Sequence, residues 1–257
     1  MQTTRYSIHG QLFLALVFTY FLWNDSQAQS TISEERNPSV EMGIITLLVT
    51  FRVKPSEKEL FKQALLEDVQ YARKEKGNIT MELYEGKDRP NTLYLFERWE
   101  NQKELDKHFE QPYTQKVLKL NETALIEPME IAYLDDLAPL SVEALPRPVY
   151  TDKMVDLVVV FKVKEGKQAK FIRQFRKSVQ HSRPETGNIA FHIHSVKDDA
   201  VTFVLYERWQ NQEALDFHFE QHYTKELFET FKEVLDRPVE ESLRFITEIS
   251  TPLQEAK

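Results

Sequence analysis

The sequence predicts an α+β protein made of two tandem copies of one β-α-β-β-α-β unit, and three observations carry that reading. The chain repeats itself: adding 110 to a residue number in the first half reaches its counterpart in the second, without a gap, from Phe51/Phe161 to Thr114/Thr224, with 28 identities in those 64 positions. Within each copy, stretches of apolar and β-branched residues at strand spacing alternate with stretches at helical spacing. A length of 257 residues, 41% hydrophobic and 29% charged, suits two folded domains of about 100 residues each. Two units are too few for a solenoid, so the copies are expected to pack on each other as a pair.

Each copy opens with an apolar β-branched run, Ile44 to Val53 or Val155 to Val163, which suits a buried strand. A helix follows, with Phe61, Leu65 and Val69 forming one stripe and Phe171, Phe175 and Val179 its repeat. In the first copy Ser56-x-x-Glu59 reads as a capping box. The helix is expected to stop before Gly77 or Gly187, where glycine supplies a left-handed conformation at low cost. Two strands come next, Asn78 to Tyr84 and Thr92 to Trp99, then Asn188 to His194 and Thr202 to Trp209. Asn101 and Asn211 read as N-caps of a second helical region, which Pro112 interrupts in the first copy and where His222 stands in the second. A last strand, Met129 to Leu134 or Leu243 to Ile249, completes a ferredoxin-like unit.

The domains are therefore expected at residues 41–136 and 153–250, with a proline-bearing linker over 137–152. Residues 1–28 read as an export signal: Arg5 in a polar start, an apolar run from Leu12 to Trp23, and small residues ending at Ala28. The run is shorter than the ~20 residues of a spanning helix, so cleavage near Ala28 and a periplasmic or secreted protein without stable membrane insertion are expected. A net charge of -8 with no basic run argues against nucleic acid as a partner. The absence of Cys excludes disulfides and thiolate chemistry and leaves His, carboxylates, Tyr, Trp, Asn and Arg.

The pattern Glu185-x-Gly187-Asn188-Ile189, then Tyr206-Glu207-x-Trp209, Ala214-Leu215-x-x-His218 and His222-Tyr223 resembles the antibiotic-biosynthesis-monooxygenase superfamily, in particular its quinol-monooxygenase and autoinducer-2-isomerase-like branch. The first copy carries the same framework. The resemblance implies an α/β barrel of two four-stranded sheets, usually a homodimer and here a pseudo-dimer within one chain, which stands alone or pairs again through its outer helices. It also implies work on an oxidisable aromatic or quinol with oxygen, without metal or flavin. Haem binding, an isomerase activity and a non-catalytic ligand-binding role are other outcomes within the superfamily. Haem-degrading members use an asparagine on the first strand, which neither copy has, and no Lys/Arg cluster suits a phosphorylated ligand.

Strand alternation places Ile79, Met81 and Leu83, with Ile189, Phe191 and Ile193, under the helices. The opposite face carries Thr80, Glu82 and Tyr84 in one copy and Ala190, His192 and His194 in the other, so two chemically unlike cavities are expected there. Five of the seven His fall between His181 and His222. An imidazole titrates near neutral pH and can take a phenolic proton, which makes His218 the candidate base and His108 its counterpart. The family resemblance adds Trp209 and Trp99 as pocket walls; His192, His194, Tyr206, Glu82, Tyr84, Asn188 and His222 are candidate substrate contacts. Glu97, Glu207, Arg98 and Arg208 read instead as ion pairs at a helix start. His192-x-His194 with His218-x-x-x-His222 has metal-ligand spacing, but nothing in the sequence brings the pairs together and no metal is assigned. No cofactor is assigned either, with haem on His218 as the alternative.

Overall fold

A computed structural model describes residues 43–140 and 151–250, so the expected export signal and most of the expected linker lie outside the described residues. Both repeats belong to one compact unit. In the first, β1 (Ile45–Arg52), α1 (Lys58–Ala72), β2 (Asn78–Gly86), β3 (Thr92–Trp99), α2 (Gln102–Phe109), α3 (Pro112–Ala124) and β4 (Glu130–Asp136) follow in order. The second matches it with β5 (Val155–Lys162), α4 (Gln168–Ser182), β6 (Asn188–Val196), β7 (Asp199–Trp209), α5 (Gln212–Glu220), α6 (His222–Val234) and β8 (Leu243–Glu248).

All strand pairs are antiparallel, in the order β2-β3-β1-β4 within the first copy and β6-β7-β5-β8 within the second. Each sheet alone would leave two edges with unpaired backbone groups. The copies cancel those edges against each other. Asp136 on β4 stands opposite His194 on β6, and Tyr84 on β2 opposite Glu248 on β8, which closes one eight-stranded barrel. The ferredoxin-like units thus form a pseudo-dimer inside a single chain.

Two helix-covered cores and one barrel interior result. Phe61, Leu65 and Val69 pack with Met81, Leu83 and Trp99 in the first copy; Phe171, Phe175 and Val179 pack with Phe191, Ile193 and Trp209 in the second. The interior holds Leu48, Tyr84, Phe96, Val158, Val204, Tyr206 and Ile246, all buried. Asn101 and Asn211 cap their helices as expected, accepting from the backbone N–H of Glu104 (3.1 Å) and Ala214 (2.9 Å).

Three local expectations are corrected. Ser56 and Glu59 form no capping box: the chain enters α1 through Glu57 in a helical conformation, so no side chain is set across the first turn. The first helices end at Ala72 and Ser182, several residues before the glycines. Gly77 and Gly187 instead make the turn into the next strand, with φ of 84° and 86°, where an added Cβ would come within 2.5 Å of Glu104 Cγ or 2.6 Å of Ala214 Cβ. The second helical region breaks in both copies, at Gln111 and Gln221, whose extended backbone makes the corner with or without a following proline.

The copies also part in length after their third helices. Val53 bridges Leu125 as Val163 bridges Leu235, an offset of 110, but Val49 pairs with Ile131 as Val159 pairs with Leu243, an offset of 112. Two residues are inserted before β8, where the second copy makes a 3-10 turn at Val239–Glu241.

Candidate active site

Parity along β3 and β7 decides which side of the barrel wall each functional residue meets. Glu207 and Trp209 point towards the helices; Tyr206 and Arg208 point into the barrel. The expected ion-pair set of Glu97 with Arg98 and Glu207 with Arg208 is therefore not formed. Each glutamate instead accepts from the indole of its own strand, Trp99 Nε1 to Glu97 at 2.7 Å and Trp209 Nε1 to Glu207 at 2.9 Å. Burial pushes both carboxyls above the ordinary carboxylate range, although the nearby histidine opposes the shift.

His218 lies on the helix side, 2% exposed, held by α5 over the face of Trp209 with ring centroids 4.6 Å apart. Its Nδ1 is 2.7 Å from Glu185 Oε1, and Thr224 Oγ1 stands 3.4 Å from Nε2. The Glu185 carboxylate also accepts from the Tyr223 hydroxyl; burial, and then this bond, raise the phenol above its ordinary range. A carboxylate on one imidazole nitrogen fixes the tautomer that leaves the other nitrogen unprotonated, the arrangement of a general base. His108 repeats the pattern with Glu75 at 2.8 Å and Trp99 at 4.7 Å.

Beside His218 is a void of about 30 Å³, lined also by Glu207, Thr224, Phe219, Phe228 and Phe231, enough for a water molecule. Phe219, Phe228, Phe231, Val239 and Leu243 are shared with an open groove of about 860 Å³ that runs out past the inserted turn to Lys225, Lys232 and Arg237. The groove is of ligand size. The equivalents of Phe228 and Phe231 are Leu118 and Asn121, and Asn121 Nδ2 approaches Met129 Sδ at 3.1 Å in the first copy.

The other candidates are elsewhere. His192, His194, Tyr206, Glu82 and Tyr84 do face the barrel interior, where they are buried and joined by hydrogen bonds that run between the two repeats. Arg208 donates to Asp156 (2.5 Å), Glu82 (3.0 Å) and the Tyr84 hydroxyl (3.0 Å); Tyr84 donates to Glu82 (2.6 Å), and its oxygen is 2.7 Å from that of Tyr206. Two carboxylates share this one guanidinium, and burial pushes Asp156 up to about 6, with Glu82 adding to the rise. Across the interior, Arg98 makes a two-pronged contact with Asp136 (2.9 and 3.1 Å), and His194 Nε2 is 2.9 Å from the same carboxylate. Burial alone would raise Asp136; its bonds to His194 and Arg98 outweigh that and hold it below the usual carboxylate range. His192 stacks on Tyr206, and burial, with Arg98 nearby, lowers its pKa to about 3.

The strand pair His192/His194 and the helix pair His218/His222 lie on opposite sides of the wall, and no cluster of three metal-ligating side chains occurs among the described residues. His222 is exposed and packs edge-on against Tyr223. Asn188 turns its amide back to the carbonyl of Ala190 at 3.4 Å. Trp99 and Trp209 are fully buried behind the histidines and do not line the void, so they back the imidazole rather than wall the pocket. The void beside His218, about 30 Å³, is far smaller than a haem, so a haem on this histidine would need the surrounding phenylalanines displaced. The sequence reading missed Glu185, Glu207 and Thr224 as site residues, although all three are among the identities at offset 110 and could have been found there.

The antibiotic biosynthesis monooxygenase profile matches residues 44–120 and again 154–233. A Synechocystis protein without assigned function is 30% identical over 137 residues, 51% of this chain and 93% of its own length. The Bacillus subtilis protein named "Putative monooxygenase YcnE" is 32% identical over 87 residues, 34% of this chain and 92% of its own. The crystal structure of a Fusobacterium nucleatum protein described as a "Putative monooxygenase" superposes with a TM-score of 0.70 at 14% identity, covering 80% of this chain and 92% of that one, a likeness of fold across both repeats. With both halves matched, the chain belongs to the antibiotic biosynthesis monooxygenase family, as a tandem duplicate.

Proposed function

We propose that the protein is a cofactor-independent monooxygenase acting on a small quinol or hydroxylated aromatic, with its site in the second repeat between sheet and helices. The observation that carries this reading is the Glu185–His218 pair at 2.7 Å, buried at the inner end of a phenylalanine-lined groove. An aromatic ring enters along Phe219, Phe228 and Phe231, which must yield for its hydroxyl to reach His218, since the inner void holds only about 30 Å³. Nε2 of His218 takes the phenolic proton, and Glu185 stabilises the imidazolium. The anion is electron-rich enough to give an electron to dioxygen; the radical pair combines into a hydroperoxide, and loss of water leaves the hydroxylated quinone. A hydroquinone and one O2 thus become one hydroxyquinone and one water, with the substrate itself as the only reductant. Glu207, kept protonated by burial to higher pH than an ordinary carboxylate, is placed to donate a hydrogen bond to developing negative charge.

Oxygen uptake with a panel of hydroquinones tests this directly. Uptake by the wild type and its loss by about a hundredfold or more in His218→Ala are expected. No uptake with any member, or an unchanged rate in His218→Ala, refutes the reading.

A further inference from the structure

The two repeats carry the same glutamate, histidine, threonine and tryptophan, but not the same neighbour on the first helix. Asp68 on α1 corresponds to Ser178 on α4, and both are buried. The carboxyl of Asp68 accepts from the Thr114 hydroxyl at 2.8 Å and stands 3.9 Å from Nε2 of His108; burial raises it, and His108 and the Thr114 bond, which favour its ionised form, oppose the rise. His108 is therefore held between Glu75 on one nitrogen and Asp68 near the other. In the second repeat the Ser178 hydroxyl lies 3.4 Å from that of Ser182, which itself donates to the Ser178 carbonyl at 3.0 Å. Nε2 of His218 has the neutral Thr224 hydroxyl at 3.4 Å, and the other acid facing this imidazole, Glu207, is pushed by burial above the ordinary carboxylate range.

We propose that catalysis is confined to the second repeat and that the residue at the Asp68/Ser178 position decides this, with Ser178 acting as the positioning residue that keeps the base side of His218 free of negative charge. This rests on the monooxygenase reading above. A carboxylate beside the base nitrogen works against the reaction twice. It favours the imidazolium, which cannot take a proton, and it repels the substrate anion that the proton transfer creates. At about 4 Å inside a protein such an interaction is large enough to dominate the local balance of charge. The first repeat is then a structural half: its histidine is enclosed between Glu75 and Asp68, and Asn121 with Met129 occupies the region where Phe231 and the inserted turn shape the groove of the second.

Steady-state oxygen uptake with a hydroquinone, measured across pH, tests the proposal in the full-length chain. His218→Gln is expected to keep no more than about one hundredth of the wild-type kcat. Retention of about half would mean that both repeats turn over, overturning the proposal while leaving the monooxygenase reading intact. Full retention would overturn both. Ser178→Asp is expected to move the acid limb of kcat/KM to higher pH by about one unit or more, and to lower the rate at pH 7 about tenfold. Ser178→Asn, of the same size without the charge, should leave the limb where it is. Since Thr224 stands where Thr114 already accommodates an aspartate, the replacement has a partner in place. An unmoved limb in Ser178→Asp, or an equal displacement in Ser178→Asn, would overturn the role assigned to position 178.

Discussion

The two faces of the barrel wall have fared differently since the repeats arose from one unit. On the helix side the copies largely agree: Glu97/Glu207, Trp99/Trp209, His108/His218, Glu75/Glu185 and Thr114/Thr224 are pairwise identical and, apart from the contacts of Thr114 and His108 with Asp68, make the same contacts. Inside the barrel they have become complements, with Glu82 against His192, Tyr84 against His194, Phe96 against Tyr206 and Thr46 against Asp156 at equivalent places. The helix side is built within one copy, so each copy keeps what its own local chemistry needs. The interior is built between copies, and once both halves reside in one chain their contacts need no longer be symmetric. Arg208 of one repeat can take Glu82 of the other, while Arg98 meets a histidine.

The interior is where single substitutions should cost most. Arg208→Met keeps the volume but leaves Asp156 and Glu82 buried without their cation, so a loss of about 3–5 kcal/mol is expected in denaturant unfolding at neutral pH. The loss should shrink on acidification, as the stranded carboxyls take up protons. Arg98→Met should cost less, about 1–3 kcal/mol, because Asp136 is partly exposed and keeps His194. Equal costs would mean that the two ends of the interior are not as unlike as their contacts indicate.

On the helix side Gly187→Ala tests the tight turn that sets β6 against α5. The positive φ and the approach to Ala214 predict a loss of about 2 kcal/mol, read as a shift of the denaturation midpoint. A neutral outcome would show that the turn relaxes without strain. A further effect is read only along the pH axis. His192 has a folded pKa of about 3, while in the unfolded chain it protonates below about 6.5. Its contribution is complete above the unfolded value and is lost as pH falls, by about 1.4 kcal/mol per unit between those two limits. Asp156, raised to about 6, acts in the opposite sense, its contribution being complete at low pH and lost as pH rises towards 6. The difference in stability between wild type and His192→Gln should therefore fall on acidification from about pH 6.5, and a difference independent of pH would contradict the burial of a neutral imidazole.

The fold was legible because its signals are periodic: a 110-residue repeat, helical stripes ending in Val69 and Val179, and asparagine caps at Asn101 and Asn211. The site was legible only by residue. Strand alternation separates Glu207 and Trp209 from Tyr206 and Arg208, but does not say which partners each side meets. Thus His192 and His194 lie inside the barrel as expected, while their neighbours there, Arg98 and Asp136 among them, come from the other repeat, beyond the reach of alternation along one strand. The groove owes its shape to Phe228, Phe231 and two inserted residues beyond the reach of the gapless repeat, while Glu185 gains its role only when a turn 33 positions from His218 folds back onto α5.

A diffraction structure of the protein soaked with 2-naphthol, a phenol slow to oxidise, would locate the site most directly. The expected result is density in the groove of the second repeat, with the naphthol oxygen within hydrogen-bonding distance of His218 Nε2 and the ring against Phe228 and Phe231. Density inside the barrel beside His192 and Tyr206 would contradict it.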